Sequence, residues 1–240
     1  MAKSRVVYVC QDCGSEQAKW AGQCPDCGAW NTMTQFVEPG APRGTATRRG
    51  GYAGDVTALQ TLDQIDLTEV PRFSTGYVEF DRVLGGGIVP GSVNLIGGQP
   101  GAGKSTLLLQ VMCALSQQMD ALYVTGEESL QQVALRAHRL GLPTDRLRTL
   151  AETSVEAILE VAAQFAPRVM VVDSVQVVHC DDVPSAPGGV SQVRESATRF
   201  TRFAKSAGSA LFLVGHVTKD GTLAGPKVLE HIIDCSIMLE

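Results

Sequence analysis

Apolar positions along the chain alternate between two patterns. Short apolar runs occupy Ser92 to Gly97, Ala121 to Thr125, Leu147 to Leu150, Val169 to Val172, Ala210 to Gly215 and Ile232 to Leu239. They have the length and branched content of strands buried on both faces. Between them lie stretches with helical spacing: Thr106 to Met119 (Leu107, Leu108, Val111, Met112, Leu115), Ser129 to Leu140, Val155 to Phe165, and Ser191 to Ala207. The last of these turns Val193, Ala197, Phe200 and Ala204 inward. A shorter helix is expected on the spacing of Val78, Val83 and Leu84, ended by Gly85-Gly86-Gly87. Ser129 and Ser191 read as N-caps, while Gly141 and Pro143 stop the helix before them. Strand–helix alternation of this kind predicts an α/β fold with a mainly parallel sheet.

The first run leads into Gly98-Gln99-Pro100-Gly101-Ala102-Gly103-Lys104-Ser105-Thr106, which satisfies G-x-x-x-x-G-K-[ST]. Glycines let the backbone curl so that N–H groups converge on phosphate oxygens, and the next helix adds its positive end. Lys104 is then expected on the β- and γ-phosphates and the Ser105 hydroxyl on Mg²⁺. A plain Gly-Pro turn is the bland alternative, but the strand before and the helix after are what a phosphate loop requires.

Acidic residues follow two later strands. Asp173 ends Val169-Met170-Val171-Val172, where an aspartate can hold Mg²⁺ through water. Gly126-Glu127-Glu128-Ser129 follows Thr125, at the sheet edge where open α/β folds bind ligands. One glutamate could polarise a water; equally, both could be solvated carboxylates at a helix N-terminus. Spacing leaves that open. His216-Val217-Thr218-Lys219-Asp220-Gly221 follows the Ala210–Gly215 strand at the same edge, so His216 and Lys219 are candidate nucleotide sensors. Val175 to Val190 forms a long Pro/Gly-containing loop, a length that in a compact domain points to function. Its His179 and Cys180 lack further metal-ligand spacing.

Ahead of this core, Cys10-x-x-Cys13 and Cys24-x-x-Cys27 are separated by ten residues, each pair followed by glycine (Gly14, Gly28). Four thiolates at this spacing close a tetrahedron with no open position, which reads as structural Zn²⁺; a redox dithiol would need only one pair. Trp20 and Trp30, the only tryptophans, are expected to pack over the metal, with base stacking as the alternative. The stretch from Met33 to Val70, with Pro39, Gly40, Pro42, Arg43, Arg48 and Arg49, reads as a flexible linker. The domain reading is 1–34 zinc knuckle, 35–70 linker and 71–240 nucleotide-binding core.

Composition narrows the setting. The chain has 240 residues, 44% hydrophobic, with a formal net charge of −5, which excludes a blanket basic surface for nucleic acid but not a local patch. Arg194, Arg199, Arg202 and Lys205 decorate one helix, either as a solvated face or as a nucleic-acid or subunit contact. No apolar run is long enough for a membrane span and the N-terminus does not read as a signal peptide, so a cytoplasmic protein is expected. Seven cysteines, four of them clustered, fit metal binding in a reducing compartment; Cys113, Cys180 and Cys235 are scattered.

Taken together, the chain resembles the bacterial RadA/Sms DNA-repair ATPases, relatives of RecA, over its whole length. The resemblance is carried by the four-cysteine knuckle with Lys19-Trp20 and Gly28-Ala29-Trp30-Asn31, by Leu84-Gly85-Gly86-Gly87-Ile88-Val89-Pro90-Gly91-Ser92, by the phosphate loop, by Tyr123-Val124-Thr125-Gly126-Glu127-Glu128-Ser129, and by Gly215 to Gly221. It implies a RecA-like P-loop core behind a zinc ribbon, using ATP, Mg²⁺ and Zn²⁺. It implies an ATP-dependent motor on single-stranded and branched DNA, driving branch migration as a hexameric ring in company with a recombinase or other repair proteins. By matching position Glu127 becomes the catalytic glutamate, with Glu128 beside it as a possible sensor. The loops after Asp173 and after Val217 would face DNA. The family continues into a Lys-Asn-Arg-Phe-Gly motif and a Lon-protease-like domain that these 240 residues do not contain, so the core is expected to be truncated at its C-terminal end. A RecA-like regulatory ATPase, whose nucleotide times protein assembly, is the competing expectation; a zinc-dependent binding module with a dead nucleotide fold is a third.

Overall fold

The computed structural model describes residues 5–10, 12–38, 72–216, 229 and 231–240. The N-terminal segment forms a three-stranded antiparallel sheet: β1 (Arg5–Cys10) lies between β2 (Glu16–Gln17) and β3 (Met33–Glu38). β3 pairs with β1 out to Glu38, so the ribbon runs past the boundary read at residue 34. The rest of the expected linker, and Lys219, lie outside the described residues.

The second unit contains α1 (Val78–Val83), β4 (Val93–Gly98), α2 (Lys104–Ser116), β5 (Ala121–Thr125), α3 (Leu130–Arg139) and β6 (Arg148–Ala151). Then come α4 (Val155–Phe165), β7 (Val169–Asp173), α5 (Val190–Ala207), β8 (Ala210–Val214) and β9 (Cys235–Leu239). The six strands pair in the order β6-β5-β7-β8-β4-β9, every pair parallel. Side chains alternate across the sheet with the strand period of two. Val169 and Val171 of β7 enter one apolar layer with Leu108, Met112 and Phe212; Met170 and Val172 enter the other with Ile158, Val193 and Phe200. Helices thus cover both faces, and β5, β7 and β8 are buried throughout.

Two expectations need correction. Val78 and Val83 of α1 are exposed, and the helix is anchored instead by Phe80, whose ring lies 5.9 Å from that of Phe212. In so short a helix a single aromatic side chain provides the buried face. Ser191 is not an N-cap: α5 begins at Val190, with Gly189 in the cap position and no side-chain cap. The segment 175–189 is tacked to the body, with Val175, Val178 and Cys180 buried, and the buried Gln192 amide in the first turn of α5 ties the segment to the helix. Its Oε1 accepts from Cys180 N at 2.8 Å, and its Nε2 donates to the carbonyls of Cys180, Val183 and Ser185 at 3.2, 2.9 and 3.0 Å. Ser129 does cap α3, in a reciprocal capping box with Gln132.

Candidate nucleotide and metal sites

β8 is inserted between β4 and β7, so the turn leaving β4 and the end of β7 stand two strand spacings apart, about 10 Å. The end of β8 opens between them. This places four segments on one edge: the phosphate loop, Asp173, the turn after β5 and His216.

The phosphate loop is built as its glycines require. Gly98, Gly101 and Gly103 have φ of 151°, 85° and 92°, a region other residues rarely adopt. A Cβ at Gly98 would stand 2.6 Å from the Leu239 carbonyl oxygen, whereas one at Gly101 or Gly103 would meet nothing within 4 Å. The loop is therefore packed at its base and open at its crown. Lys104 is buried, its Nζ donating to the carbonyls of Gly98 at 2.8 Å and Gln99 at 3.0 Å. Burial pulls the ammonium pKa down, and the charges of Asp173 and Glu127 push it back up. Lys104, Asp173 and Glu127 thus share one electrostatic environment. Gln99, Pro100, Ala102, Ser105 and Thr106 complete the loop and the first turn of α2.

Asp173 is almost fully buried, and its Oδ2 accepts a hydrogen bond of 2.6 Å from the hydroxyl of Tyr123, itself wholly enclosed in β5. Glu127 and Glu128 part company. Gly126 N donates to Asp173 O at 2.8 Å, and Thr125 Oγ1 closes the turn by accepting from Glu128 N at 3.1 Å. A Cβ on Gly126 would come within 2.5 Å of Val177 Cγ2, so the turn packs too tightly for a side chain there. Out of this turn Glu127 reaches the edge, where its Oε1 accepts from Ser174 Oγ and lies 3.0 Å from His216 Nε2. Glu128 is held by the Arg136 guanidinium through both carboxylate oxygens. The fold brings Glu127, Asp173, Lys104 and His216, each read from a sequence motif, to one edge; Tyr123, Ser174 and Arg136 join them as partners without a sequence signature of their own.

In the ribbon, the sulfurs of Cys10, Cys13, Cys24 and Cys27 all lie within 4.8 Å of one another, with Cys10–Cys27 and Cys13–Cys24 at 3.6 Å. A tetrahedron with bonds of about 2.3 Å sets sulfurs about 3.8 Å apart, so the donor set fits Zn²⁺ in both chemistry and spacing. The two halves repeat: Gly14 N and Gly28 N each donate at 2.9 Å to the carbonyl of the first cysteine of their pair, and both glycines have positive φ. Burial pushes the Cys13 thiol up to about 12; Cys10 is also buried but is brought down to about 6 by the Thr32 hydroxyl and by backbone N–H groups. The tryptophans correct the packing expectation. Trp20 is 59% and Trp30 69% exposed, and the small ribbon core is made of Cys10, Cys24 and Met33 with Tyr8 and Cys13 beside them. Sulfur and methionine fill the volume the indoles were expected to fill.

The basic face of α5 is largely engaged. Arg199 is gripped by Glu156, Asp182 and Glu195, and Lys205 lies 2.7 Å from Asp234. Among the described residues, no helix is long and apolar enough to cross a membrane.

Comparison with known proteins matches residues 79–222 to an AAA domain and residues 8–35 to a rubredoxin metal binding domain. Along its whole length the chain is 62% identical to a DNA repair protein RadA of Haemophilus influenzae, 60% to that of Escherichia coli and 48% to that of Bacillus subtilis. In each case it covers 53% of the relative, so it spans about half the length of the curated relatives it matches.

Proposed function

Because the chain belongs to the AAA domain family and, within it, to the RadA proteins, we propose that it binds Mg²⁺–ATP on the 98–106 loop and hydrolyses it in the service of DNA repair. The observation that carries this reading is the convergence of Lys104, Asp173 and Glu127 at one sheet edge, where the two carboxylates bear on the same buried ammonium. The donor set fits the group: backbone N–H groups for phosphates, a lysine for their charge, and a hydroxyl and a carboxylate for magnesium. Bound Mg²⁺–ATP would supply a phosphoryl group open to attack by water.

The chain's own residues divide the remaining work. Lys104 would turn from its two loop carbonyls to phosphate oxygens. Ser105 and Asp173 would hold magnesium. Glu127, oriented by Ser174 and close to His216, accepts the proton of the attacking water. Glu128 is neutralised by Arg136 and serves to fix the turn rather than to sense nucleotide. His216 links the Glu127 carboxylate to the chain leaving β8, and Lys219 belongs to that same stretch of sequence.

The wider role follows the relatives' name. Single-stranded and branched DNA are the proposed substrates, branch migration the proposed work, a ring of like chains the proposed assembly, and recombination proteins the proposed company. The deciding experiment is ATP turnover with and without single-stranded DNA, paired with DNA binding in each nucleotide state. Stimulation by DNA supports the motor. Turnover indifferent to DNA, with no DNA binding in any state, would instead make this a regulatory ATPase whose nucleotide controls protein assembly.

A further inference from the structure

Tyr123 would touch neither phosphate nor water in this site, yet its hydroxyl is the only side-chain group that hydrogen-bonds Asp173 among the described residues. It sits in an apolar layer with Leu108, Met112, Val133 and Val171. Phenylalanine would fill the same volume there without bringing a polar group into the sheet. Enclosing a hydroxyl and a carboxylate together costs desolvation of both, so such a pair is weak support for stability as such. What the pair does fix is geometry. Tyr123 pairs with Val171 and Thr125 with Asp173 in the parallel register, so the phenol reaches the carboxylate from two positions further down the neighbouring strand. One carboxylate oxygen is thereby committed, and the orientation of the group about its Cβ–Cγ bond is set.

We propose that Tyr123 is a positioning residue for the magnesium site: its hydroxyl holds Asp173 Oδ2, leaving Oδ1 as the oxygen presented to the metal's water shell. This rests on the reading of Asp173 as a magnesium residue. Without the hydroxyl the carboxylate can rotate, and the magnesium that accompanies nucleotide is held less well, while nucleotide contacts made by the loop itself are untouched.

The test compares Tyr123→Phe with the parent chain, titrating Mg²⁺ at fixed fluorescent ATP analogue and reading binding by anisotropy. The Mg²⁺ midpoint should rise about tenfold, the size of one lost hydrogen bond to a charged group. Analogue affinity in excess chelator should not change. In an Asp173→Asn background, Tyr123→Phe should add nothing further. An unchanged Mg²⁺ midpoint, or an equal shift in the Asp173→Asn background, overturns the positioning role. If the parent chain itself binds nucleotide without any Mg²⁺ dependence, the magnesium reading of Asp173 fails first and this proposal falls with it. Should Tyr123→Phe not fold, the parent and Asp173→Asn proteins still decide the matter by ultraviolet difference spectroscopy. Loss of the phenol–carboxylate bond should give a tyrosine difference band, and its absence counts against the proposal.

Discussion

Glu127 and His216 are separated by 89 positions in sequence, yet His216 Nε2 lies 3.0 Å from Glu127 Oε1. The same oxygen accepts from Ser174 Oγ. A carboxylate with donors on it from two other strand ends is oriented before any water arrives. Glu128, one residue on, spends both oxygens on Arg136.

That division predicts different outcomes for two adjacent substitutions. Glu127→Gln should keep ATP binding and lower turnover by about 10²-fold or more, the range for loss of a general base. Glu128→Gln should retain most turnover but lose thermal stability, because it strands a half-buried guanidinium. Steady-state turnover beside nucleotide binding separates the two.

Gln192 predicts a stability effect far from the nucleotide. Gln192→Leu keeps the volume but leaves the Cys180 N–H and the Ser185 carbonyl without their partner, while the Cys180 and Val183 carbonyls keep only one backbone donor each. The expected loss is about 1–3 kcal/mol. Hydrogen exchange should quicken over residues 180–189 before it quickens in β7 or β8.

Asp81 gives the chain an acid-sensitive joint. Its carboxylate accepts from Thr75 N at 2.8 Å, from Thr75 Oγ1 at 2.7 Å and from Ser74 Oγ. Burial pushes its pKa up, but these donors outweigh burial and hold it below its ordinary value of 3.8. The folded pKa being depressed, the stabilisation is fully present above 3.8 and is lost as pH falls through the lower folded value. Asp81→Asn should therefore cost about 1–2 kcal/mol at pH 7 and progressively less in acid below about pH 4. Denaturant midpoints of both proteins at neutral and acid pH measure the difference.

The ribbon predicts one zinc per chain and loss of that zinc in Cys27→Ser. Metal analysis of freshly reduced protein gives the first number. Chelation should melt the ribbon, since Cys10, Cys24 and Met33 make too small an apolar cluster to hold three strands without a metal. Survival of the ribbon's amide protection in excess chelator would contradict this.

Much of the site was legible because its chemistry is local. The phosphate loop needs its residues in one order within nine positions, and the cysteine pairs need theirs, so both can be read without a fold. Glu127 could not be told from Glu128 by the same means. Their different surroundings come from Thr125 closing a turn and from Arg136 on the next helix, and neither interaction has a sequence signature. Tyr123 and Gln192 escape for a related reason. Each looks like an ordinary buried residue until the sheet order brings a carboxylate, or a loop of carbonyls, against it. The tryptophans depart in the opposite direction: large apolar residues in a small segment suggest its core, but sulfur and methionine fill it and the indoles stay exposed.

The base of the phosphate loop depends on β9, a strand far from it in sequence. β4 is flanked by β9 as well as β8; Val93 N donates to Asp234 Oδ2 at 2.8 Å across 141 positions, and Gly98 packs against the Leu239 carbonyl. A chain emerging from its N-terminus therefore presents the complete phosphate-loop sequence long before that loop has a floor. Until β9 arrives, one side of β4 exposes unpaired peptide groups. Competence for nucleotide is accordingly acquired only when β9 joins the sheet, and ATP added to growing chains should begin to protect them only at that point.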